Sequence, residues 1–172
     1  RGLGRLQRLH LGVARLHAIG LAGRGKDAAR LLERIAMAVE DNPDRFALKH
    51  DSQFEYVRVI CSVAERNPGP AMLPALEALR RKKCLRGLAI PWEADPRPAV
   101  DSVLERRAYL ELSLGRALAR CGDRRGYDIL RRYADDIRGP LARSAADELR
   151  DLASTPRRRG RLPVTPFTRR IE

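Results

Sequence analysis

Between Ala117 and Ala153 the chain reads ALARCGDRRGYDILRRYADDIRGPLARSAADELRDLA, and no other stretch constrains the fold as strongly. Its apolar residues return every three or four positions, the spacing that lines one side of a helix. The phase breaks twice. Val103, Leu110, Leu114, Ala117, Leu118 and Cys121 make one stripe, ending near Cys121. Gly122-Asp123 then supplies a residue that tolerates a left-handed C-cap, followed by an N-cap acceptor. Tyr127, Ile129, Leu130 and Tyr133 carry a second helix back antiparallel. Asp135-Asp136 stops it and offers caps for a third, which has Ile137, Leu141, Ala145, Leu149 and Leu152 on one face. Pro140 falls in its first turn, where a missing N–H costs little. A helix with a single apolar stripe is unstable alone, so neighbours must stack on it. The expected class is all-α.

The rest of the chain follows the same pattern. A first helix is expected from Leu3 to about Leu21, with Leu6, Leu9, Val13 and Leu16 inward and Gly20, Gly23 and Gly25 at its end. A second follows Asp27, with Ala28, Leu31, Leu32, Ile35 and Val39 in an amphipathic pattern. Residues 41–50 read as a loop. Asp51 can cap a third helix holding Phe54, Val57, Cys61 and Ala64, with Val59, Ile60 and Val63 on further faces, so this helix should be well buried. Asn67-Pro68-Gly69-Pro70 breaks the chain before PAMLPALEALRRKK, a helix with Pro74 at its start and a basic last turn, as the helix dipole favours. Residues 85–99 (LRGLAIPWEADPRPA) are too rich in proline for a helix and hold the sole tryptophan, Trp92. Residues 1–154 thus read as one domain with an irregular insertion at 85–99, and residues 155–172 as a basic, Pro/Arg-rich flexible tail.

The order Ala-Leu-x-x-x-Gly-Asp, a short helix, Asp-Asp-Ile-Arg, then Ala-Ala and Leu-x-x-Leu-Ala resembles a HEAT-like repeat of the bacterial type related to phycobilin lyases. Hinges near residues 22–27, 67–70 and 122–123 give about three antiparallel helix pairs plus a final helix, with a period near that of HEAT units. The expected architecture is a HEAT-like α-solenoid. The segment Tyr109–Leu149, with the Pro-rich insertion before it, is similar to the C-terminal extension of bacterial FAD-dependent oxidoreductases, a similarity that extends over residues 1–153. That resemblance implies a Rossmann-type flavin domain upstream, helices packed on or beside it, and no catalytic or cofactor-binding residue in this chain. The tail after Ala153 departs from the family pattern. The chain opens on Arg1, in keeping with a processed product or a piece of a longer protein.

The net charge of +13 suggests nucleic acid as an alternative partner. Its distribution weakens the suggestion: residues 1–34 carry +6, 35–79 carry −3, 80–86 carry +5, 87–156 are neutral and 157–172 carry +5. Arg also outnumbers Lys 31 to 4, as a GC-rich genome alone would produce. The best binding candidate is Arg80, Arg81, Lys82, Lys83 and Arg86, at a helix end beside the insertion. They can contact phosphates while Trp92 stacks on a base, or simply form a solvated terminus. A HEAT-like nucleic-acid binder in the manner of the alkylpurine DNA glycosylases is the corresponding alternative, although the aromatic and Asp pairing of those enzymes is not identifiable here.

Other chemistry is weakly signalled. Arg1-Gly2-Leu3-Gly4 lacks the third glycine and preceding strand of a dinucleotide fingerprint. His10 and His17 can share a helix face without further metal ligands, and His50 has no identifiable partner. Asp135 and Asp136 point apart if helical and suit capping better than acid–base work. Cys61, Cys84 and Cys121 read as small buried hydrophobes, leaning towards a reducing compartment. No apolar run is long enough to span a membrane. The function expected is a non-catalytic interaction or scaffold module without metal or cofactor of its own.

Overall fold

The computed structural model describes residues 25–46, 52–93 and 102–154. The expected first helix with His10 and His17, the Arg1–Gly4 motif, His50, the Asp51 cap, the later insertion and the basic tail lie outside these residues. Six α-helices are present among them: α1 (Gly25–Ala38), α2 (Ser52–Arg66), α3 (Leu73–Arg80), α4 (Ser102–Arg120), α5 (Arg124–Ala134) and α6 (Gly139–Ser154). Short 3-10 turns occupy Pro43–Phe46, Pro70–Met72 and Lys83–Leu85. There is no β-strand among the described residues, only an isolated antiparallel bridge between Pro91 and Asp136.

The helices pack against one another in a consistent order. α1 lies against α2 and α3, α2 against α4, and α5 against α6, while α4 touches α2, α3, α5 and α6. This central position explains the composition of α4. Ala108, Leu110, Leu112, Leu114, Ala117, Leu118 and Ala119 are all buried, so the helix is apolar on most of its circumference. α4 and α5 approach most closely at small residues. A Cβ on Gly126 would stand 2.2 Å from the Ala119 backbone nitrogen, and one on Gly115 would stand 2.6 Å from Ile129 Cγ2.

The turn between α4 and α5 matches its sequence signal. Gly122 has φ 85°, in the left-handed region, and the Asp123 amide donates to the Leu118 carbonyl at 3.0 Å. Asp123 caps α5 by accepting from the Arg125 amide at 2.9 Å.

Several boundaries differ from expectation. α1 begins at Gly25, so Asp27 lies within its first turn. The expected loop over residues 41–50 contains the Pro43–Phe46 turn, which buries Phe46 completely because a lone aromatic in a polar stretch still gains by leaving water. The turn sits against α2 and α4, and Arg106 Nη1 donates to the Phe46 carbonyl at 3.2 Å. Leu85 belongs to a 3-10 turn and is buried. Ile137 precedes α6, leaving Ala145 and Glu148 as its buried residues, with Leu141, Leu149 and Leu152 partly covered.

Candidate functional site

Residues 86–92 leave the last 3-10 turn and cross α4 and the α5–α6 junction as a strap. Its backbone polar groups find few regular partners, so side chains on the helices supply them. Glu111, buried in the middle of α4, accepts from the Gly87 amide at 2.8 Å, the Leu88 amide at 2.7 Å and the Tyr133 hydroxyl at 2.9 Å. Arg107 donates to the Cys84 carbonyl at 2.7 Å, and Arg138 to the Leu88 carbonyl at 2.6 Å. Asp41 accepts from the Cys84 amide at 2.8 Å from the other side. Gly87 has φ 68°, which lets the chain turn across the Glu111 carboxylate.

The far end of the strap is fixed by Asp136. Its Oδ2 accepts from the Ile90 amide at 2.8 Å, its Oδ1 accepts from the Arg138 amide at 2.7 Å, and the Arg138 guanidinium binds both oxygens. The Trp92 amide donates to the Asp135 carbonyl at 3.0 Å and the Ile137 amide to the Ile90 carbonyl at 2.9 Å. Burial works to raise the Asp136 carboxyl, but the hydrogen bonds from Arg138 and the two amides outweigh it and hold its pKa below the usual range. Burial and the neighbouring Glu111 push the Tyr133 hydroxyl up. Asp135 and Asp136 accordingly differ in role: Asp135 is exposed at the end of α5, while Asp136 is buried and fastens the strap.

Trp92, although its backbone is pinned, has 79% of its surface in water. It borders a shallow depression of about 540 Å³ with Pro91, Glu93, Ala134, Asp135 and Asp136.

The basic cluster divides. Arg80 and Arg86 line a cleft of about 160 Å³ together with Leu85, Glu111 and Ile129, and its α5 side presents Arg125, Asp128 and Arg132. Arg81 and Lys82 border a different depression with Glu33, Met37, Asp41 and Glu77, and Lys83 is exposed outside both linings. Trp92 lines neither of these two.

Of the arginines lining the smaller cleft, Arg80 grips Glu77, which borders the other depression, through Nε at 2.7 Å and Nη2 at 2.8 Å. Arg125 bridges Glu77 at 2.9 Å and Asp123 at 2.6 Å. Hydrogen bonds from Arg80 lead the influences that bring the Glu77 carboxyl down to about 2, with burial opposing them. Arg132 stands 3.7 Å from Glu111. Arg86 has no side-chain hydrogen bond or ion pair to another described residue.

The α5 arginines and Glu111 were not singled out from the sequence. Arg125, Asp128, Ile129 and Arg132 do share one helical face by spacing, which is the available local signal. Their meeting with Arg80 and Arg86 depends on how α3 and α5 flank α4, which no local pattern encodes.

A second polar cluster joins three helices. Arg116 of α4 reaches Glu65 of α2 at 3.2 Å and Glu148 of α6 at 3.6 Å, and Arg120 binds Glu148 at 2.6 and 2.8 Å. Burial raises the Glu65 carboxyl against the pull of Arg116 and Arg120. The three cysteines are free thiols. Burial pushes all three up, Cys84 to about 12, which leaves little thiolate at neutral pH. Among the described residues, no group of three or more His, Cys, Asp or Glu is placed to hold a metal ion, and no helix is long and apolar enough to cross a membrane. No family model, curated protein or solved structure matches this chain.

Proposed function

We propose that this chain is a non-catalytic helical-repeat interaction module whose strap docks a partner domain, and that it serves as the C-terminal accessory part of a FAD-dependent oxidoreductase. Trp92 carries the docking reading. A tryptophan left in water on a chain segment fastened by Glu111, Asp136 and Arg138 offers a large apolar surface at little entropic cost on binding. The order of packing, with α2 on α4 on α6 and α1 on α3, supports a HEAT-like solenoid in two rows. The flavin domain as the partner rests on the resemblance of Tyr109–Leu149 to the oxidoreductase extension.

The test is the intact mass of the native gene product with its visible absorbance spectrum. A polypeptide several times longer than 172 residues that carries bound flavin supports the reading. A flavin-free product of about this length overturns the oxidoreductase assignment. Within a flavoprotein, Trp92→Ala should weaken association of the separately produced parts by tenfold or more, on the order of a hot-spot truncation. Unchanged association would move the docking surface away from the strap.

A further inference from the structure

We propose that the cleft between α3 and α5 is an oxyanion site for one compact phosphate group. This rests on the cleft alone and holds whether or not a flavin domain adjoins the chain. Four guanidinium groups from three segments line it: Arg80 at the end of α3, Arg86 at the start of the strap, and Arg125 and Arg132 on α5.

The carboxylates in the lining are already engaged. Both Glu111 oxygens accept amide hydrogen bonds from the strap, and one also takes the Tyr133 hydroxyl. Asp128 pairs with Arg131 at 3.3 Å. The cationic side is less committed. Arg86 has no described partner, Arg132 has only its 3.7 Å approach to Glu111, and Arg80 binds Glu77 through Nε and Nη2, leaving Nη1 outside that pair. Arg80 and Arg125 are oriented in advance by Glu77 and Asp123, so little side-chain entropy is lost when an anion arrives.

Size selects among anions. At about 160 Å³ and with Leu85 and Ile129 in its wall, the cleft suits a single tetrahedral group and not a run of backbone phosphates. Guanidinium forks pair well with phosphate oxygens, often through two parallel hydrogen bonds. The nearby arginines form a pocket and not a stripe, so a nucleic acid would meet only one or two of them at a time.

The test titrates the full chain with inorganic phosphate at constant ionic strength, followed by calorimetry and by amide shifts, with succinate and a single-stranded oligonucleotide as separate arms. Phosphate should bind and shift the Arg86, Gly87 and Arg132 amides. Arg86→Ala, which removes no described contact, should weaken phosphate by about tenfold or more, the worth of a charge-assisted hydrogen bond. Arg150→Ala, on the exposed side of α6, should leave it unchanged. The oligonucleotide should show the shallow salt dependence of one or two contacts. No phosphate binding, equal binding by the Arg86 variant, or succinate bound as tightly as phosphate would each overturn the proposal. A steep salt slope indifferent to Arg86 would overturn it in favour of a backbone-binding surface elsewhere.

Discussion

Gly126 has the least freedom of any glycine described. The atoms that a Cβ would meet there belong to the backbone of α4, at 2.2 Å and 2.6 Å, so one helix must move. Gly126→Ala should therefore lower stability by roughly 1–3 kcal/mol, the range for an overpacked core, with the urea midpoint as the measure. Gly115→Ala should be milder, because its nearest obstruction is the Ile129 side chain. Titration at Glu77 gives a second residue-scale prediction. Its carboxyl is held near 2 in the folded chain against 4.5 when free, so folding favours the ionised form. The stability it contributes is complete above about pH 4.5 and is lost as the pH falls towards 2. Glu77→Gln should flatten the acid limb of a stability–pH profile, by an amount reduced through the partial exposure of the pair. Glu65 acts in the opposite direction, since its raised carboxyl favours the protonated form on folding.

Among elements, the strap differs from the helices in what holds it. Its amides depend on Glu111 and Asp136, side chains remote in sequence. Glu111→Gln keeps the shape but removes one acceptor oxygen, leaving an amide of Gly87 or Leu88 unsatisfied at about 1–3 kcal/mol. Limited proteolysis should then cut within residues 86–93 while α4, α5 and α6 stay resistant; resistance equal to the parent protein would contradict the fastening role. These elements were unequally legible in sequence. The α4–α5 turn follows from Gly122 and Asp123, since a left-handed glycine and an N-cap are local properties. The strap was recognisable only as non-helical. Its fasteners look like ordinary polar residues of amphipathic helices until the chain is folded. Phe46 was hidden for a related reason, because the polar residues around it describe the turn and not the aromatic that the turn delivers to α2 and α4.

At the scale of the molecule, the buried residues form one hydrophobic cluster extending from Ala28 to Ala145. The all-helical class was legible from apolar spacing, whereas the Arg-lined cleft and the Glu65–Arg116–Glu148 cluster arise from helices brought together by tertiary packing. A shared core implies shared loss. Cys61 of α2 and Cys84 beyond α3 should become open to alkylation at the same urea concentration, with Cys121 reacting earlier because it is only partly covered. Different midpoints for Cys61 and Cys84 would show that the core comes apart in stages. The exposed position of Trp92 also decides what the chain's fluorescence can report. An indole already surrounded by water in the native protein changes its surroundings little when the chain unfolds, so its emission is a poor gauge of denaturation. That makes it a clean optical signal for association, since a blue shift on adding a partner would mark the moment when the strap is covered.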